Sequence, residues 1–419
     1  MKKEILESYK GVRDFYPQDQ FVLDYIRRVM SETCELFGFE HYGASVLESA
    51  DLYRNKTSDE IVNEQTYIFE DRGGREVVLR PEMTPTVARM VAKKRRELGF
   101  PLRLYSIPNV FRYERPQKGR LREHWQLNAD IFGAEGMDYE IELVALVREI
   151  FFAFGAKEED FLIKINSRSV LDKIFNELEV PPLAAKSTLA LLDRKAKISE
   201  EDFDEHLTRI LANEKDAFLA ALKHAEAEGE LKNYLDEFKL RGINNVVVDS
   251  SVVRGFDYYT GFIFEVFDTD KANPRALCGG GRYDNLMKSL GQEPVPTLGF
   301  GMGDVTIRDF MDLRGLLPEY EPASKLMIMV LQDDPELKRA AFDLSERFRR
   351  ANIETAVNYS ARKFDKQIKT ADKLSIPYVV ALEDKCDLDK DEFTLIKLSD
   401  KSKHKLSFDS AVFFVTDSD

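Results

Sequence analysis

From Phe111 to Gln126 the chain reads FRYERPQKGRLREHWQ, which sets five cations, Arg112, Arg115, Lys118, Arg120 and Arg122, against two acids, Glu114 and Glu123. The whole chain has a formal net charge of -14 and a pI near 5.1, so this segment is a local concentration of positive charge. Arginine presents a planar, permanently charged fork of donors that matches phosphate. An arginine leading into a cation-rich loop therefore points to a triphosphate or the end of a nucleic acid. A second cluster, RGFDYYTGFIFE, spans Arg254 to Glu265 and places an arginine five residues before Tyr259. Its glycines, Gly255 and Gly261, allow close backbone approach. Tyrosines, glycines and a second arginine together fit a pocket for a small polar substrate. No GxxxxGK[ST] is present, which excludes a P-loop. GFGMG at Gly299 to Gly303 lacks the spacing and following βαβ unit of a dinucleotide site, so a nicotinamide-dependent oxidoreductase has little support.

These residues need a scaffold. Leu102 to Glu114 and Glu123 to Phe132 read as two strands of an antiparallel hairpin, with the charged segment as their connection. Side chains alternate along a strand, so Gln126, Asn128 and Asp130 share a polar face, while Trp125, Leu127, Ala129 and Ile131 form a core face. By the same alternation Arg112 and Glu114 share a face. Thr84 followed by Pro85 suggests a helix start with Thr84 as N-cap, which places Glu82 and Thr84 at its positive end beside strand Val77 to Leu79. Thr66 to Phe69 and Arg75 to Leu79 read as a hairpin, and Phe21 to Phe37 and Asp138 to Phe154 as amphipathic helices. A charged helical stretch over about 167–240 reads as an insertion before strands resume at Asn245 to Val253 and Phe262 to Phe267. A linker-like break at Arg314 to Ser324 divides a first domain, 1–323, from a second, 324–419, in which strands and helices alternate. The second domain has its own basic cluster, including Arg347, Arg349, Arg350, Lys366 and Lys369, consistent with a polyanion contact.

Composition narrows the function further. The chain has 419 residues, 43% of them hydrophobic and 32% charged, and no apolar run approaches the roughly 20 residues of a membrane span. The opening MKKEILESYKGVRDFYP has no apolar core of a secretory leader. Three well-separated cysteines, Cys34, Cys278 and Cys386, argue against a disulfide framework and for a reducing, cytoplasmic setting. None of the five histidines has another at metal-ligand spacing, so no protein metal site is expected.

The segment FRYERPQKGRLREHWQ resembles motif 2 of the class II aminoacyl-tRNA synthetases, in the form found in histidyl-tRNA synthetases. RGFDYYTGFIFE resembles the signature peptide of that family, and LRPEMT, GGGRYDNL and KGVRDFYP are similar to its other segments. The resemblance runs over nearly the whole chain. It implies an α+β class II catalytic sheet flanked by helices, with a helical insertion, a C-terminal α/β anticodon-binding domain and a homodimeric assembly. It also implies activation of L-histidine with ATP and Mg2+, followed by transfer of histidine to the 3′ end of tRNA-His. Carried over by matching positions, Arg112 and Arg254 hold the α-phosphate and serve catalysis. Glu82, Thr84 and Gln126 take the α-amino group, and Asp130, Tyr258, Tyr259 and Tyr283 line the histidine pocket with Arg254. Glu114 and Arg120 belong to the ATP site, and Arg115, Gln117, Lys118, Arg120 and Arg122 to the loop that meets the tRNA acceptor end.

Four positions depart from the family pattern. Ser45 replaces a motif 1 proline, Met83 replaces a glycine and is expected to narrow the site, and Asp130 replaces a glutamate one methylene longer. Thr306 replaces the motif 3 arginine, and Arg308, two residues on, points to another face of its helix. The last departure supports an alternative: a non-catalytic, histidine-sensing regulatory subunit of ATP phosphoribosyltransferase built on the same domain. The charged loop and C-terminal domain favour the enzyme, since a sensor needs neither.

Overall fold

The computed structural model describes residues 6–54, 65–117, 119–195, 198–253, 258–383 and 391–417. Two compact units divide the chain, Met1–Pro318 and Glu319–Asp419. Composition places the break at 323 and 324. The contact boundary comes earlier because Leu316 and Leu317 are the last residues packed on the first unit's core.

The strands of the first unit are β1 (Glu40–His41), β2 (Leu47–Ser49), β3 (Tyr67–Glu70), β4 (Glu76–Leu79), β5 (Leu102–Ser106), β6 (Asn109–Phe111), β7 (Glu123–Phe132), β8 (Phe161–Ser167), β9 (Val246–Val248), β10 (Phe262–Asp268), β11 (Ala276–Arg282) and β12 (Thr297–Gly303). Six of them, in the order β5, β7, β12, β11, β10, β8, form a continuous antiparallel sheet. β1 joins one edge and β9 the other, each in parallel, and β6 pairs with the start of β7. The chain is thus an α+β protein, as the family resemblance implies.

Period-two alternation makes β7 the wall between core and site. Leu127, Ala129 and Ile131 are fully buried in the main core. Val22, Ile26, Val29 and Met30 of the helix Pro17–Leu36, and Ile141, Val144 and Val147 of the helix Met137–Ala153, pack into the same cluster. A one-residue slip of β7 would turn this apolar set outward, so burial pins the register. Between β8 and β9, helices Arg168–Glu177, Pro182–Asp193, Glu200–Leu211, Lys215–Ala227 and Glu230–Leu240 follow one another, the first four contributing to a separate apolar cluster around Phe175, Leu207 and Phe218. β2, β4 and β3 form a small sheet of their own.

Three local expectations need correction. The strand expected over 102–114 breaks after Ser106, because Pro108 has no N–H for the ladder, and pairing resumes only over Asn109–Phe111. Arg112 and Glu114 thus lie beyond the strand, and alternation does not orient them. The helix expected to be capped by Thr84 begins at Thr84 itself, with Met83 before it and no side-chain cap. The strand expected over 245–253 pairs only at Val246–Val248, because Asp249 Oδ1 accepts from the Ser251 N–H and hydroxyl and turns the chain.

In the second unit Leu326–Val330, Thr355–Asn358 and Tyr378–Leu382 pair in parallel, with Leu326–Val330 central, and Phe393–Lys397 and Lys403–Leu406 extend the sheet antiparallel. The helix Pro335–Arg350 starts at Asp334, whose side chain caps the Glu336 N–H.

Candidate active site

A cleft lies on the polar face of the large sheet. Gln126, Asn128 and Asp130 stand on β7, and directly opposite them on β12 are Gly303, Gly301 and Gly299. On the next strand, Gly279 and Gly281 face Gly301 and Gly299. The floor therefore consists of backbone, and the β7 side chains lie across it. A Cβ at Gly299 would collide with Asp130 Oδ1 and the Tyr283 hydroxyl, and one at Gly301 with Gln126 Nε2.

At one end the cleft suits a small polar molecule. The Tyr283 hydroxyl donates to Asp130 Oδ1, and Asp130 Oδ2 is buried and has no hydrogen-bond partner among the described residues. Burial pushes the Asp130 carboxyl up to about 7, with Tyr283 opposing the shift and the Glu82 charge adding to it. Burial also holds the Tyr283 phenol well above its ordinary range. The rings of Tyr258, Tyr259 and Tyr283 cluster with centroids 5.0–6.2 Å apart. The Tyr258 hydroxyl donates to Glu82 Oε2 at 3.3 Å, and Tyr53 donates to the Glu82 carbonyl at 3.0 Å. Because Thr84 is not used as a cap, its side chain remains at the cleft wall.

The other end is cationic. Arg112 is steadied by its Nε, which donates to the Pro81 carbonyl at 2.9 Å. His124 beside it is driven down to about 3, first by burial and then by the Arg112 and Arg13 charges, so it is neutral near pH 7. Arg120 lies 3.3 Å from Glu114. The Thr306 hydroxyl is engaged by the Leu277 and Gly303 carbonyls, at 2.9 and 3.2 Å. Arg308 is held by Asp19 at 2.8 Å and does not line the cleft.

Of the charged loop, Arg115, Gln117 and Arg120 are exposed, and Gln117 and Arg120 bridge its turn. Arg122 is different. It is buried, its Nε and Nη1 donate to the Glu114 carbonyl and the Tyr9 hydroxyl, and its guanidinium lies 4.0 Å from the Tyr113 ring centroid. Lys118 and Arg254 lie outside the described residues. Met83 does not narrow the cleft: it is fully buried with Val87, Phe132 and Tyr283.

Sequence reading missed the anchor of this loop. The Gly11 carbonyl accepts from the Arg122 N–H at 2.7 Å, and Arg13 pairs with the buried Asp304 at 2.7 Å, whose other oxygen accepts from the Trp125 N–H. KGVRDFYP carried the signal, but only as a resemblance, not as a contact. Among the described residues no group of three or more His, Cys, Asp or Glu side chains is placed to hold a metal, and no helix is long and apolar enough to cross a membrane.

The antiparallel sheet, with an arginine-bearing loop at one end of its polar cleft, defines the class: a class II aminoacyl-tRNA synthetase. Residues 11–304 match the family model described as Histidyl-tRNA synthetase, and residues 325–417 the one described as Anticodon binding domain. A histidine–tRNA ligase of Leptospira biflexa is 40% identical, with 98% of each chain covered. In fold, the chain is similar to a histidyl-tRNA synthetase of Nostoc sp. PCC 7120 (TM-score 0.79, 21% identity, 99% of both chains). It is also similar to that of S. aureus (TM-score 0.74, 23% identity, 98% of this chain and 99% of the other). The chain belongs to the histidyl-tRNA synthetase family.

Proposed function

We propose that this histidine–tRNA ligase activates L-histidine and charges tRNA-His within the described cleft, with MgATP as co-substrate. The observation that carries the reading is the buried, unpartnered Asp130 Oδ2 beside three tyrosines. An imidazole N–H supplies the donor that this oxygen lacks. A side chain without such a donor would leave it unsatisfied, which gives selection without an editing site. The carboxylate of Glu82 offsets the α-ammonium, and Thr84 and Gln126 orient it.

In the first step a carboxylate oxygen of histidine attacks the α-phosphorus and pyrophosphate leaves. Arg112, fixed through Pro81, stabilises charge developing on the α-phosphate, and the resemblance gives Arg254 the same task. In the second step the terminal ribose hydroxyl of the tRNA attacks the carbonyl and AMP leaves. Holding the reactants along one backbone floor contributes proximity. Neutral His124 adds no charge beside the α-phosphate. Arg115, Gln117, Lys118 and Arg120 meet the acceptor end, and Arg122 holds their loop in place. Magnesium arrives with ATP, held largely by the phosphates.

The same reading includes a homodimer in the cytoplasm, a catalytic domain over 1–323 and an anticodon-binding domain over 324–419. A purely regulatory, histidine-sensing subunit would have no use for the anticodon-binding domain, which favours the enzyme. Histidine-dependent ATP–pyrophosphate exchange, followed by charging of tRNA-His, tests the proposal. Histidine binding without exchange would overturn it.

A further inference from the structure

Beside the cationic end of the cleft, against its lining residue Gly119, lies an arginine that the motifs do not account for. Arg275 immediately precedes β11, whose Ala276 and Leu277 line the cleft, and the Leu277 carbonyl is the one that engages Thr306. Gly119 of the charged loop lies against it: an ideal Cβ there would be 3.1 Å from Arg275 Cδ and 3.7 Å from Nη1. Gly119 can lie so close because it has no side chain and a φ of +74°.

The neighbouring arginines each have a protein partner already. Arg112 is fixed to Pro81, Arg120 to Glu114, Arg122 beneath the loop and Arg308 to Asp19. Among the described residues Arg275 makes no side-chain hydrogen bond or ion pair. Partial burial and then the Arg120 charge disfavour its charged form, while the Glu114 and Asp309 charges favour it by less. Two guanidinium groups thus flank Gly119 in mutual repulsion, with Glu114 the only carboxylate ion-paired to either among the described residues. Such an arrangement is relieved by an anion of high charge density at the cleft mouth.

We propose that Arg275, together with Arg120, binds the β- and γ-phosphates of ATP at the end of the cleft where Thr306 contributes no cation. This rests on the cleft being the ATP site. Arg275 then does two things. It draws the phosphate tail away from the amino-acid end, aligning the pyrophosphate leaving group opposite the attacking carboxylate. It also takes up the negative charge that develops on that leaving group.

The test uses full-length Arg275→Ala and Arg275→Lys. Calorimetry measures binding of a non-hydrolysable ATP analogue, AMP and histidine, and exchange and single-turnover transfer from preformed histidyl-adenylate follow. The expected result for Arg275→Ala is analogue affinity reduced at least about tenfold, the scale of a lost charge-assisted hydrogen bond, with AMP and histidine affinities unchanged. The ATP KM in exchange rises to match, transfer is intact, and Arg275→Lys recovers part of the loss. Equal weakening of AMP and analogue, or unchanged analogue affinity, overturns the proposal. So does normal exchange with impaired transfer, which would make Arg275 a tRNA contact. Because binding is measured apart from exchange, a wild-type protein that binds the analogue but shows no exchange sinks the ligase reading and leaves the phosphate contact standing.

Discussion

The Tyr283 hydroxyl and Asp130 Oδ1 form a hydrogen bond at the tyrosine-lined end of the cleft, and among the described residues the second oxygen of Asp130 has no hydrogen-bond partner. The carboxyl titrates near 7 in the folded chain, against about 3.9 in an unfolded one. Its charged form therefore opposes folding. The penalty is absent below the unfolded value, grows as pH rises, and is complete above about 7. Asp130→Asn keeps an acceptor for Tyr283 and removes the charge. The variant should be more stable than wild type without ligand, by a margin that widens by about 2 kcal/mol between pH 5.5 and pH 8. Its histidine affinity should fall by on the order of a hundredfold, the scale of a lost hydrogen bond to a charged group. Urea unfolding at both pH values and calorimetry with histidine check this. A margin independent of pH would show that the carboxyl is not the source.

Gly301→Ala and Gly299→Ala should fail in different ways. At Gly301 the added methyl meets mainly the mobile end of Gln126, so the fold should tolerate it while the amide is displaced from the α-amino site. At Gly299 it meets Asp130, Tyr283 and the Ala129 carbonyl, which cannot all move. Gly301→Ala should raise the histidine KM at least about tenfold with stability lowered by less than about 1 kcal/mol, whereas Gly299→Ala should lose about 3 kcal/mol, the upper end of what overpacking usually costs. Melting curves and exchange kinetics separate the two. Equal melting temperatures would refute the distinction.

Arg13 and Asp304 bind the N-terminal segment to the start of the helix that carries Thr306. The Asp304 side chain is only 4% exposed, and burial already raises its pKa. Arg13→Ala should cost about 3 kcal/mol by leaving a buried carboxylate without its counter-ion. Adding Asp304→Asn should recover most of that loss. Urea denaturation of both variants decides the matter, and a double variant no more stable than the single one would count against the pairing.

The loop side chains should separate by role. Arg115→Ala and Gln117→Ala, both at exposed positions, should lower charging of tRNA-His several-fold and leave pyrophosphate exchange unchanged. Arg122→Ala releases the loop from Glu114, Tyr9 and Tyr113, so exchange and charging should fall together, each at least about tenfold. If Arg122→Ala impaired charging alone, its buried position would not be what matters.

How much of this was legible depends on distance along the chain. The polar row Gln126, Asn128, Asp130 could be read from β7 alone, because one-sided burial imposes period two. The absence of side chains opposite could not, since it depends on which strand pairs with β7, and β12 comes from far down the chain. Pro108 was visible, yet its power to end a ladder depends on the partner strand. Arg122 looked like its loop neighbours, and only the approach of Tyr9 and Gly11 distinguishes it. Arg13 and Asp304 are 291 residues apart, and no local pattern joins them.

The backbone floor also limits what redesign can reach. A pocket is usually enlarged by trimming a wall, but Gly299, Gly301, Gly279 and Gly281 have nothing left to trim. A bulkier amino acid could be admitted only from the other side, by shortening Gln126, Asp130 or Tyr283, the groups that would hold the present substrate. New selectivity and retained activity therefore draw on the same few atoms. Variants that change substrate should lean toward smaller or differently polar amino acids.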